Sequence, residues 1–75
     1  MALVKNLKGV ESKNIRENIT ETECTYFIFE KDDKKYFQID SYGSSERKNY
    51  GRTSQSLRFT EDVAKQLKDI LEKHF

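Results

Sequence analysis

The chain has almost none of the residues from which small proteins build staples or catalytic centres. Its single cysteine, Cys24, cannot close an internal disulfide. Together with the single histidine, His74, it falls short of the about four ligands that a structural zinc needs. The three glycines, Gly9, Gly43 and Gly51, stand apart, so no phosphate-cradling loop is present. No apolar run approaches the ~20 residues of a membrane span, and Met1-Ala2-Leu3-Val4-Lys5 lacks the longer apolar stretch of a secretion signal. These absences predict a cytoplasmic protein with no membrane partner, no cofactor and no metal. They also make Asn18-Ile19-Thr20, which matches the glycosylation acceptor pattern, a coincidence.

Candidate chemistry is equally thin. Cys24 lies in a run of strand formers with no histidine near it in sequence, the setting of an idle thiol rather than a nucleophile. Asp32-Asp33 falls in a turn and Glu61-Asp62 in the first turn of a helix. Neither pair has the partners that acid–base or metal chemistry requires. Ser44-Ser45-Glu46-Arg47 is a weak candidate for a phosphate-binding or modified loop, and His74 simply suits a helix terminus. No catalytic residue is expected, so the chain reads as a binding module and not an enzyme. An enzyme subunit lending no catalytic residues is the least favoured class.

What is present is balanced charge and aromatic side chains. Fourteen basic residues nearly cancel 13 acidic ones, and aromatics reach 12%, which separates this 36%-charged chain from disordered sequences. Residues 1–75 make one domain. At this size a single core seldom supplies more than about 3–5 kcal/mol, so a homodimer that completes the core is expected. A net charge of +1 means that any nucleic-acid binding must come from charge gathered onto one face.

Val63, Ala64, Leu67, Ile70, Leu71 and Phe75 recur at helical period behind Thr60, a good N-cap, with Glu61 and Asp62 at the positive end of the helix dipole. Upstream, Glu23–Lys31 and Tyr36–Tyr42 are dense in strand formers, and Ser54–Phe59 alternates. Placing Phe27 and Phe29 on one face with Ile39 and Phe37 requires a three-residue hairpin connection at 32–34. A two-residue turn would set apolar residues opposite polar ones. Leu3, Val4, Leu7 and Val10 fit helical spacing interrupted by Gly9, and Val10–Thr20 is compatible with an edge strand; residues 1–20 remain open. The expected fold is α+β: an antiparallel sheet of three to four strands followed by one C-terminal helix packed on one sheet face, over Phe27, Phe29, Phe37, Ile39, Leu57 and Phe59.

Alternation then sends Tyr26, Ile28, Tyr36, Gln38, Asp40, Tyr42, Ser56 and Arg58 to the other face. The adjoining loop adds Arg47, Lys48, Tyr50 and Arg52 against the single acid Glu46. Aromatic rings interleaved with cations suit single-stranded nucleic acid, whose bases stack while its phosphates seek positive charge. Tyrosines also stabilise open sheets with no ligand at all, and Tyr with Arg is equally a protein-interface composition.

From Lys35 to Phe75 the order of elements resembles the transcriptional coactivator PC4-like single-stranded DNA-binding domains. The features that match are Phe37-Gln38-Ile39-Asp40-Ser41-Tyr42, a polar loop with Gly51-Arg52, the strand Ser54-Gln55-Ser56-Leu57-Arg58-Phe59 and the Thr60-capped helix. The resemblance implies a dimer joined largely through the helices, gripping single strands with Tyr36, Gln38, Arg47, Lys48, Arg52 and Arg58. Two readings result. The first is a homodimer binding single-stranded DNA or RNA, with Arg47, Lys48, Arg52 and Arg58 on phosphates, Tyr26, Tyr36 and Tyr42 stacking bases, and Gln38 beside them. The alternative is a protein-interaction module, such as a small phage or mobile-element regulator or inhibitor.

Overall fold

The computed structural model describes residues 1–12, 14–43 and 53–75. Four strands, β1 (Ala2–Val4), β2 (Cys24–Lys31), β3 (Lys34–Ser41) and β4 (Gln55–Thr60), precede one helix, α1 (Glu61–His74). They form a single sheet in the order β1-β4-β3-β2 with α1 packed over β3 and β4. The α+β architecture is therefore as the residue pattern predicts, but the sheet is mixed. β2, β3 and β4 are antiparallel to their neighbours, whereas β1 runs parallel to β4, pairing Ala2 with Leu57 and Val4 with Phe59. The short N-terminal strand covers the otherwise free edge of β4. β2 lies at the far edge of the sheet. The helical spacing of Leu3, Val4, Leu7 and Val10 produces no helix, and Val10–Thr20 contributes no strand among the described residues. A hydrogen bond from Gln66 Nε2 to the Leu7 carbonyl (2.8 Å) ties the chain just after β1 to α1.

The hairpin corrects a second expectation. Lys31 pairs with Lys34, which leaves Asp32 and Asp33 as a two-residue turn, both with positive φ (55° and 62°). Positive φ at both positions is the type I′ geometry, whose twist matches that of the flanking strands, and aspartate tolerates it better than most residues. The register that follows sets Phe27 opposite Gln38 and Phe29 opposite Tyr36, while Tyr26 faces Ile39 and Ile28 faces Phe37. Phe27 and Phe29 thus lie on the helix-free face, and Tyr26 and Ile28 on the helix side. The mismatch of apolar with polar partners is offset by ring contacts: Phe29 stacks on Tyr36 at 5.2 Å with 21° between planes.

The core is small. Among the described residues, Phe59 (6% exposed) and Val63 (2%) are the buried apolar ones, with Phe37 5.8 Å from Phe59 between ring centres. Thr60 starts the helix as its sequence predicts: its Oγ1 accepts the Val63 N–H at 3.3 Å, satisfying one of the free donors of the first turn. Lys65–Glu61 (3.1 Å) and Lys68–Glu72 (4.0 Å) line the solvent side. The Phe75 N–H closes the last turn on the Leu71 carbonyl.

Candidate functional site

The helix-free face is built by alternation in the three long strands. β2 contributes Thr25, Phe27, Phe29 and Lys31; β3 contributes Lys34, Tyr36, Gln38 and Asp40; β4 contributes Ser56 and Arg58. β1 adds Leu3, the partner of Arg58. At the hairpin end these residues form an aromatic row: Phe27 lies 5.7 Å from Phe29, which stacks on Tyr36. The Arg58 guanidinium sits 4.9 Å from the centre of the Phe29 ring, a cation–π contact worth about 0.5–1 kcal/mol at a partly exposed site. A cleft of about 390 Å³ opens beside the row, bounded by Met1, Leu3, Phe29, Lys31, Asp32, Tyr36 and Arg58.

Beneath the row runs a polar relay. Gln38 is 4% exposed although no helix covers it, because Arg58, Asp40 and the rings around it close over the amide. Arg58 Nε–H donates to Gln38 Oε1 at 2.9 Å, and Gln38 Nε2–H donates to Asp40 Oδ1 at 2.9 Å. The Ser56 hydroxyl donates to the same Asp40 oxygen at 2.6 Å. These donors, Ser56 foremost and then Gln38, with the Arg58 charge adding a smaller share, hold the Asp40 carboxyl below its ordinary pKa. The relay fixes both the amide orientation and the Arg58 side chain, so the cation is held against Phe29 rather than left to roam.

Of the residues singled out in the sequence, Tyr36, Gln38, Tyr42 and Arg58 belong to this face. Tyr42 shares a 2.7 Å hydroxyl–hydroxyl hydrogen bond with Thr25 at the end remote from the aromatic row. Tyr26 does not belong to it: the two-residue turn carries it to the helix side, where its ring lies 5.8 Å from Phe37. Arg47, Lys48 and Arg52 lie outside the described residues. Residue patterning missed Phe27, Phe29 and Lys31, and the signal that finds them is Asp32-Asp33 read as a tight turn rather than as part of a longer one.

On the helix side, a groove of about 660 Å³ runs between α1 and β2, lined by Ile28, Phe37, Ala64, Leu67, Lys68 and Leu71. Ile28 (58% exposed) lies at its β2 side, and Tyr26 (69%) follows it on the same face of the strand. Cys24 is exposed at the start of the same strand. Among the described residues no group of three or more His, Cys, Asp or Glu side chains gathers to hold a metal ion, and no helix is long and apolar enough to cross a membrane. Comparison of the chain with protein-family models, curated proteins and solved structures finds no match.

Proposed function

We propose that the chain is a non-catalytic module that binds single-stranded DNA or RNA with little sequence preference across its helix-free face. It would act in the cytoplasm as a homodimer. The observation that carries this reading is the row Phe27, Phe29 and Tyr36 with Arg58 laid over it. Bases stack on such rings for about 1–3 kcal/mol each, and an arginine already in the ring stack offers its remaining N–H groups to a phosphate. Lys31 and Lys34 pair at the same end of the face, on either side of Asp32 and Asp33, while the Asp40 carboxylate is engaged by Ser56 and Gln38. Arg47, Lys48 and Arg52 would extend the cationic track, in keeping with the PC4-like resemblance over residues 35–75.

The test is an anisotropy titration against single- and double-stranded oligonucleotides at several salt concentrations. Three phosphate contacts from Arg58, Lys31 and Lys34 give a log–log salt slope of about −2, and six contacts about −4. Affinity that does not change between low and high salt refutes the proposal. The alternative, a protein-interaction module such as a small phage or mobile-element regulator, draws on the exposed Tyr26 and Ile28 of the opposite side and predicts no response to oligonucleotides.

A further inference from the structure

We infer that the outer edge of β2 pairs antiparallel with β2 of a second copy, joining two sheets into one of eight strands. Among the described residues β2 is the terminal strand of the sheet, and it carries four consecutive apolar residues, Tyr26-Phe27-Ile28-Phe29. Its register with β3 is unbroken over eight residues, so no bulge twists the edge away. It contains no proline, and its charges sit only at the hairpin end, in Glu30 and Lys31. The opposite edge is covered by β1. An edge that is long, regular, apolar and undefended pairs with another strand unless something prevents it.

The backbone identifies the free groups. The Ser41 carbonyl accepts the Ser54 N–H at 2.6 Å and therefore points toward β4. Alternation turns its β2 opposites, Cys24, Tyr26, Ile28 and Glu30, outward. A two-fold axis through Phe27 pairs these residues with one another: Tyr26 lies opposite Ile28 of the second copy, and Cys24 opposite Glu30. This register keeps both helices on one side of the sheet and both aromatic rows on the other. It matches an aromatic with a β-branched residue, a favoured cross-strand pair, and sets Lys31 against Glu23 of the second copy twice over. Tyr26 at 69% exposure and Ile28 at 58% then fill the floor between the two grooves, bordered by Leu71 of each helix. Phe27 meets its own copy on the helix-free face, so the two aromatic rows become one continuous surface.

The test is the mass of the intact protein in solution, measured by light scattering and sedimentation equilibrium without any nucleic acid, so that its outcome is independent of ligand binding. The expected mass is twice the 8.9 kDa of one chain. Ile28→Pro removes an N–H that points away from β3, so the hairpin ladder is kept while edge pairing is blocked; a mass of 8.9 kDa with unchanged helical circular dichroism is expected. If that variant unfolds, the charge pair decides. Glu23→Lys weakens association about tenfold, and Glu23→Lys combined with Lys31→Glu restores it. A wild-type mass of 8.9 kDa throughout the micromolar range overturns the inference. So does a dimer that withstands Ile28→Pro and Glu23→Lys but is lost in Leu71→Asp, which would assign the contact to the groove beside α1.

Discussion

Replacing Gln38 with methionine tests whether the polar relay holds the helix-free face together. Methionine keeps the length and approximate volume of the side chain, so no cavity is created, and only the hydrogen bonds to Arg58 and Asp40 are lost. Hydrogen bonds to charged groups contribute about 1.5–3 kcal/mol each. Arg58 and Asp40 are only half-buried and can recover water, so each loss falls at or below the low end of that range, and the pair sums to about 2 kcal/mol. For a domain of this size that corresponds to a fall in Tm of about 8–16 °C. Urea unfolding followed by circular dichroism gives the free energy directly, and thermal melting gives the second value. A loss smaller than about 0.5 kcal/mol, or a gain, would show that the buried amide is tolerated rather than structural, and the account of Arg58 as a positioned cation would fail with it.

Other outcomes are equally specific. Asp33→Gly relieves a left-handed residue in the hairpin turn and is expected to raise stability by about 0.5–1 kcal/mol in the same unfolding assay. Thr60→Ala removes the acceptor for the Val63 N–H and is expected to cost about 1 kcal/mol. The folded-state pKa of Asp40 is lowered, so its contribution is present above the unfolded pKa and lost as pH falls through the folded one. Asp40→Asn is accordingly less stable than wild type at neutral pH, and the two unfolding curves converge in acid. Phe27→Ala, at a residue 44% exposed, leaves the core intact and is expected to reduce single-strand affinity about tenfold, read by anisotropy.

The elements differ in how plainly their residues announce them. α1 has an apolar stripe, a threonine cap and acids in its first turn, all local signals that agree. β3 and β4 alternate cleanly, so Phe37, Ile39, Leu57 and Phe59 point to the helix, and Tyr36, Gln38, Asp40, Ser56 and Arg58 point away, as their parity predicts. β2 is different. With Tyr26, Phe27, Ile28 and Phe29 all apolar, no alternation exists to name the inward face, and either parity buries something hydrophobic. The turn made the choice, because Asp32 and Asp33 adopt a two-residue conformation that shifts the whole strand by one residue against the three-residue alternative. The aromatic row exists only because of that shift.

Helix, strand and loop order are thus written in short-range patterns, as is the outward parity of Arg58 and Gln38, because capping and periodicity act within a few residues of chain. Three features required the assembled molecule: the parallel seat of β1, the face that β2 presents and the burial of Gln38. Each depends on groups distant in sequence meeting in space. β1 needs the open edge of β4, Phe29 needs the ring of Tyr36 and the Arg58 guanidinium, and the Gln38 amide needs Arg58 on one side and Asp40 on the other. Local propensity carries no information about such encounters, and only the packed sheet decides them.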